Sequence, residues 1–297
     1  MDDTLALYRE KVTALFPELI IRSIEVNREG LANDAVLING ELIVRFAKNE
    51  YGVRALAQEL RVLDWIRPHL TLPIPTPHYR DQEAIAYPLI HGIGLSREQF
   101  PQLDGATQQR LAEQLGAFLH ELHQVPTDAG LPTTLAPTGY EDWENKRARI
   151  AAKVYPLLLK HQISWAEALF DQMMADRANF DYRPRLIHGD LASYHILFDP
   201  AAKRLGGIID FGVAGLGDPA TDLGNLLQYY GESFLGKMAG SYSQLDAYLP
   251  RARFYAQSIE LDWVLLGLES GEDFWFTGHI GAARDLGVTA SDRLGRL

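Results

Sequence analysis

The sequence predicts an α+β, bilobal protein, with a small antiparallel-β lobe and one key helix over residues 1–90 and a larger, mainly helical lobe over 91–297. Three observations carry that expectation. Asn39-Gly40 sits between two apolar runs in AVLINGELIVRF (35–46), the strongest short-range signal for a tight hairpin. A proline-punctuated, strand-rich stretch follows up to about residue 90, after which the spacing of apolar residues turns helical. Short strand signals between residues 186 and 209 then interrupt the helical part.

Taken in order, NREGLAND (27–34) is a polar loop containing Gly30, and the hairpin follows it. YGVRALAQELRVLDWI reads as a helix with Val53, Leu56, Leu60, Leu63 and Ile66 on one stripe. TLPIPTP (71–77) is broken by its prolines, and EAIAYPLI (83–90) reads as another strand. Leu111, Leu115, Phe118, Leu119 and Leu122 keep helical spacing from Asp104 to Gln124, and further helices are expected at about 141–160 and 163–179. Strands are expected at Leu186-Ile187, His195–Phe198 and Leu205–Ile209, with helices from Asp222 to the end. The cleft between two such lobes is where a ligand is expected.

The bulk composition excludes several chemistries. There is no Cys, hence no disulfide framework, thiolate metal site or Cys nucleophile. No apolar run is long enough to span a bilayer, and MDDTLALYREKV resembles neither a signal nor a transit peptide, so a cytoplasmic monomer with no membrane partner is expected. A net charge of −11 argues against nucleic acid. The acids are unevenly placed. Residues 254–283 hold Glu260, Asp262, Glu269, Glu272 and Asp273 and no Lys or Arg, interleaved with Phe254, Tyr255, Trp263, Phe274, Trp275 and Phe276. That mixture suits a wall for a polycationic small molecule, against the plainer reading of solvated helix faces over an aromatic core.

HGDLASYHILFD (188–199) sets two histidines and an Asp against a strand-like Ile196-Leu197-Phe198, and GGIIDFG (206–212) follows. Read as a hairpin joined by PAAKR, the two segments bring Asp190, His195 and Asp210 to one edge. The spacing His188-x-Asp190, His195, Asp210-Phe211-Gly212 matches the protein-kinase phosphotransfer template, in which the first Asp accepts the substrate hydroxyl proton and the later positions bind metal. Hard Mg²⁺ prefers oxygen ligands such as Asp. Arg45 lies mid-strand, where a cation needs an anionic partner, and Glu59 lies at the margin of its helix's apolar stripe. A strand cation paired with a helix carboxylate is how that template holds ATP phosphates; Lys48 is the rival cation.

These motifs, with GLGDPATDLGNLL (215–227) and the order LIVRF, QELRVL, YPLIHG, FLHELH, resemble the aminoglycoside phosphotransferase family of kinase-like small-molecule kinases over about residues 15–290. The layout is most similar to the aminoglycoside 2″-phosphotransferases. The resemblance implies a protein-kinase-like fold, ATP or GTP as donor and Mg²⁺ as cofactor. It implies Asp190 as catalytic base, Asp210 as principal metal ligand with His195 beside it, and Tyr87–Ile90 (Tyr87, Leu89, Ile90) as the purine-binding hinge, with Gly30 and its neighbours over the phosphates. Glu232, Glu260, Asp262, Trp263 and Glu269 are the candidates to hold a cationic aminoglycoside. Two positions depart from the usual pattern: His195 replaces Asn, as in macrolide kinases, and Arg45 replaces Lys, which keeps the charge and adds a fork. Asp218 and Asp222 are expected to tie the metal loop to the helices. Macrolide, choline, homoserine and sugar kinases share the skeleton. A metal-dependent phosphohydrolase using His188, Asp190, His195 and Asp210 as one cluster is a rival of another class, as is a nucleotide-binding pseudokinase, against which the intact Asp190 and Asp210 speak.

Overall fold

The structure, a computed structural model, describes residues 3–30, 32–127, 130–271 and 273–285. Asn39 and Gly40 turn the chain with φ of 55° and 69°, positive angles that Asn and Gly adopt most readily, and the Glu41 amide donates to the Ile38 carbonyl across them. The turn joins β2 (Asn33–Ile38) to β3 (Leu42–Ala47). With β1 (Ile24–Asn27), β4 (Tyr79–Arg80) and β5 (Ala84–Pro88) they form an antiparallel sheet in the order β1-β2-β3-β5-β4. Alternation along β3 then separates two environments. Val44 and Phe46 face a cluster with Val36, Ile38, Tyr8 and Val12, the last two from an N-terminal helix, α1 (Asp3–Leu15), for which the sequence reading had no signal. Arg45 faces the other way, on the side where Leu56, Ile85 and Tyr87 pack.

That second side is covered by α2 (Glu50–Ile66), capped by Asn49, whose side chain accepts from the Gly52 amide. Gly52 is required there, since a Cβ would stand 2.1 Å from the Ala32 carbonyl oxygen. The buried face of α2 comprises Gly52, Ala55, Leu56, Glu59, Val62, Leu63 and Ile66. Glu59 is thus fully buried within that face, where the apolar spacing set it at the margin. The reason is that α2 is covered twice: Leu56 packs toward the sheet, while Val62, Leu63 and Ile66 belong to the core of the helical part.

The helical part comprises α3 (Gly105–Gln124), α4 (Tyr140–Lys153), α5 (Lys160–Met174), α6 (Ala220–Tyr230), α7 (Glu232–Met238), α8 (Leu245–Ser270) and α9 (Asp273–Asp285). The helix expected over 141–160 stops at Lys153 and gives way to a 3₁₀ turn, Tyr155–Leu157, around Pro156, which cannot donate to a continuing helix. The next helix starts at Lys160 and ends at Met174, not 179. Strands β6 (Ile93–Gly94), β8 (Ile196–Asp199) and β9 (Arg204–Ile208) form one small sheet, and β7 (Arg185–Ile187) pairs with β10 (Gly215–Gly217). No helix among the described residues is long and apolar enough to cross a membrane.

Candidate active site

A cavity of about 890 Å³ lies between the sheet and the helical part and is lined from both. On the sheet side its wall includes Asn27, Gly30, Asn33, Ile43, Arg45, Tyr87, Leu89 and Ile90. The segment expected to form the hinge is held by the Leu89 amide, which donates to the Glu41 carbonyl at 2.7 Å, continuing the β3–β5 ladder.

Arg45 lies deep in this half. One of its guanidinium nitrogens donates to both Glu59 oxygens at 2.9 and 2.7 Å, and the other reaches Asp210 Oδ1 at 3.0 Å. Burial would lower its pKa, but Asp210 and Glu59 reverse that and hold it above its ordinary value. Burial pushes the Glu59 carboxyl up, against the pull of Arg45, and the Phe211 backbone amide also donates to it. The sheet, α2 and the Asp210-Phe211-Gly212 turn are therefore joined through one cation. Lys48 is committed elsewhere: its ammonium is held by the carbonyls of Arg28 (2.5 Å) and Gly30 (2.6 Å), and Asp34 is 3.4 Å away.

Opposite, β8 and β9 pair as the hairpin reading requires, and their ends converge. His195 Nε2 is 3.5 Å from Asp210 Oδ2, and its Nδ1 is 3.8 Å from Asp190 Oδ2. Nδ1 lies 2.8 Å from the backbone carbonyl of Asp190, a pure acceptor, so Nδ1–H donates there and the Nε2 lone pair faces Asp210. A lone pair and a carboxylate oxygen facing each other at that distance suit a cation between them. Asp210 sits at φ 65°, a left-handed conformation that costs a non-glycine residue about 1–2 kcal/mol and that aims its carboxylate into the cleft. Burial would raise the Asp210 carboxyl, but Arg45 outweighs it and holds the group well below its ordinary value. Burial pushes Asp190 the other way, upward. Two neighbouring carboxyls are thus driven in opposite directions, Asp210 down by its cation and Asp190 up by burial.

His188 does not join them. It is fully buried, with Nε2 3.0 Å from the Ile209 carbonyl and Nδ1 accepting from the Asp190 amide at 3.3 Å. Its role is to hold the loop. Asp222 does the same from α6, accepting from the His188 amide at 2.9 Å and the Gly189 amide at 2.8 Å. His123 of α3 backs it, with Nε2 3.1 Å from Asp222 and Nδ1 2.6 Å from the Tyr242 hydroxyl. Burial would raise Asp222, but the His123 hydrogen bond and the neighbouring partners hold it below its ordinary value. Asp222 therefore anchors the loop, and the cap position before α6 is Pro219. Asp218 is also buried and binds Arg251 at 2.6 Å and the Tyr255 hydroxyl at 2.9 Å.

The far wall of the cavity departs from the expected acidic face. Asp262, Trp263 and Glu269 of α8 line it, but so do Lys146 and Arg149 of α4. Lys146 binds Asp262 at 2.5 Å, and Arg149 and Lys153 bind Glu269. Glu260 lies beside the wall with His279 at 2.7 Å and Gln228 at 2.5 Å. Glu232 is on the outside, exposed and paired with Arg253. Glu272, and the side chains of Asp273, Phe274 and Trp275, lie outside the described residues. The sequence reading passed over Lys146 and Arg149, although KRARIAAK places Lys146, Arg149 and Lys153 at i, i+3 and i+7, one face of a helix. Tyr51, Tyr194 and Tyr229, which carry no signal in the sequence, also line the cavity, as does Tyr255 from the aromatic set of residues 254–283.

The fold has parallels in solved structures. The GDP complex of wild-type aminoglycoside 2'-phosphotransferase-IIIa superposes with a TM-score of 0.84 at 27% identity, covering 96% of this chain and 98% of that one. The GDP and kanamycin complex of APH(2")-IIia gives 0.83 at 28% identity over 96% and 99%. Macrolide 2'-phosphotransferase type I shares the fold, with a TM-score of 0.70 at 21% identity over 93% and 96%. Among curated proteins, viomycin phosphotransferase of Streptomyces vinaceus is 25% identical over 136 residues, 44% of this chain and 45% of that protein. The uncharacterized protein YcbJ of Bacillus subtilis (strain 168) is 27% identical over 198 residues, 64% and 63%. The chain thus spans between just under half and just under two thirds of the length of these curated relatives. A family model described as "Phosphotransferase enzyme family" matches residues 23–255, and with that match the chain belongs to the phosphotransferase enzyme family.

Proposed function

We propose that the protein transfers the γ-phosphoryl group of ATP or GTP to a hydroxyl of an aminoglycoside. The observation that carries the phosphotransfer reading is the convergence of Asp190, His195 and Asp210 within 4 Å contacts at the edge of a cavity whose other wall holds the Arg45–Glu59 pair. In this reading Tyr87, Leu89 and Ile90 take the purine, Gly30 covers the phosphates and Arg45 holds them, while Glu59 keeps Arg45 in place. Asp190 accepts the proton of the acceptor hydroxyl as that oxygen bonds to phosphorus, and the nucleoside diphosphate leaves.

Asp210 and His195 would hold a divalent cation such as Mg²⁺. Bound, it neutralises charge on the phosphates. An oxygen and an imidazole nitrogen are fewer ligands than a self-sufficient site needs, which suits an ion completed by phosphate oxygens and water. His188, buried against the Ile209 carbonyl, favours this arrangement over a phosphohydrolase cluster containing it.

Within the acceptor half, Asp262, Trp263 and Glu269, with Glu260 behind them, are the groups proposed to meet the aminoglycoside. One observation favours a second acceptor class: Lys146 and Arg149 pair with the wall carboxylates, leaving a more neutral, aromatic surface suited to a macrolide with one amine. A coupled nucleotide-turnover screen with ATP and GTP against kanamycin, viomycin, a macrolide, choline and homoserine tests both. Turnover with kanamycin is expected. Turnover with a macrolide alone would replace the aminoglycoside reading, and nucleotide-independent phosphatase activity would replace phosphotransfer.

A further inference from the structure

The acceptor wall contains two cations and two carboxylates that reach across from separate helices. Lys146 Nζ stands 2.5 Å from Asp262 Oδ1, and Arg149 Nε stands 3.0 Å from Glu269 Oε1. All four line the cavity, and Lys153 gives Glu269 a second cation at 2.9 Å, so this cluster carries no surplus of negative charge although the chain carries −11. Both pairs keep contact with solvent: the side chains of Lys146 and Asp262 are 13% and 27% exposed, those of Arg149 and Glu269 50% and 21%. The Arg149–Glu269 pair is open enough to water to be weak, and the part-buried Lys146–Asp262 pair lines the cavity, where an incoming ammonium can compete for the carboxylate.

We infer that Lys146 and Arg149 are specificity-determining residues that occupy the places of substrate ammonium groups, so that a polycationic acceptor reaches Asp262 and Glu269 only by displacing them. This rests on the proposed use of the same cleft for a cationic acceptor. The contacts are not needed to hold α4 on α8. Trp143 of α4 stacks on Tyr255 of α8 with ring centroids 5.5 Å apart at 14°, and lies 4.9 Å from Phe254. The aromatic layer joins the helices. The charged layer above it faces the cavity and sets which acceptors enter. A neutral or singly charged acceptor meets a wall already satisfied, while each ammonium of a polycation exchanges one ion pair for another and gains little.

Binding of kanamycin, measured by titration calorimetry with native protein and with Lys146→Met, the double variant Arg149→Gln with Lys153→Gln, and Lys146→Arg, tests this without requiring turnover. Lys146→Met should bind kanamycin about two- to fivefold more tightly, with a steeper loss of affinity as salt rises, because Asp262 is left for the ligand. Arg149→Gln combined with Lys153→Gln, which together leave Glu269 without its cations, should do the same if Lys146→Met folds poorly, and Lys146→Arg should stay near native. Affinity unchanged or lowered in both neutralised variants, including no measurable binding in any form, overturns the inference. So does an equal gain for a macrolide bearing a single amine. Absence of phosphoryl transfer from native protein to any hydroxyl compound would instead overturn the proposed function, and the binding comparison would still decide this point.

Discussion

The two ends of the cleft use carboxylates in opposite ways. At the end proposed for catalysis, Asp190 and Asp210 flank one hairpin, stand on either side of His195, and line the cavity. At the acceptor end, Asp262 and Glu269 meet cations 116 and 120 residues away in sequence, on a different helix. The catalytic end is held open by backbone bonds: the amides of His188 and Gly189 bind Asp222, and the ring of His195 binds the Asp190 carbonyl. The acceptor end is closed by side-chain pairs. The difference teaches where charge can do work. Asp210 gives one oxygen to Arg45 and keeps the other toward His195, and among the described residues Asp190 has no cation of Lys or Arg upon it, whereas Asp262 and Glu269 are each met by a Lys or Arg side chain until a ligand competes.

The strongest way to break this contrast is at Asp190. Asp190→Asn should reduce turnover by about 10²–10⁴-fold with nucleotide affinity retained, since it removes the proposed proton acceptor and leaves Arg45 and Asp210 in place. Near-native turnover would take Asp190 out of the chemistry. The pH dependence sharpens the same point. Because burial raises the Asp190 carboxyl, the base is lost on acidification at a pH above that of an ordinary carboxylate. The acid limb of kcat/KM should therefore fall earlier than a free Asp would give, and should be absent from the residual rate of Asp190→Asn.

Next in size is the anchor. Asp222→Ala leaves two buried amides and His123 without their shared partner, and should cost about 2–5 kcal/mol in urea unfolding along with most of kcat. The sign with pH follows from its depressed pKa. The contribution is present above the ordinary carboxylate value and is lost as pH falls through the folded-state value, so native protein should lose its margin over Asp222→Asn on acidification. A constant margin would mean that Asp222 is not held as an anion. His195→Asn should be milder, keeping kcat within about tenfold because an amide oxygen replaces one metal ligand with another, whereas His195→Ala should fall by about 10–100-fold. Equal losses in both would assign His195 another role.

The legibility of the sequence divides along the same line. Asp190, His195 and Asp210 could be brought together from HGDLASYHILFD and GGIIDFG because strand pairing over a short connection is a local rule. Arg45 stood out because a cation in the middle of an apolar strand is costly without a partner. The burial of Glu59 is not legible from a one-sided apolar stripe, because α2 is covered both by the sheet and by the helical core. Charge counted along residues 254–283 suggested an acidic wall, since nothing local in that stretch indicates that α4 packs across α8. Lys146 and Arg149 enter only through tertiary contact. Helix α1 was missed for a related reason: its burial rests on Tyr8 and Val12, too few apolar positions to stand out in a mixed sequence.

The smallest expected effect concerns Glu232, grouped in the sequence reading with the carboxylates that would hold a cationic acceptor. Its side chain is 56% exposed, paired with an Arg253 side chain that is 46% exposed, at the start of α7 and away from the residues that line the cavity. The Arg253 hydrogen bond lowers its carboxyl, but a pair this open to water contributes only about 0–1 kcal/mol. Glu232→Gln should therefore leave kcat and the acceptor KM at native values and shift stability by no more than that. The comparison that gives the result meaning is Asp262→Asn together with Glu269→Gln. Those two line the cavity, and their loss should raise the KM for kanamycin while leaving the KM for nucleotide unchanged. A rise in acceptor KM for Glu232→Gln of similar size would place the acceptor outside the cavity between α4 and α8, and the contrast between the two ends of the cleft would have to be redrawn around α7.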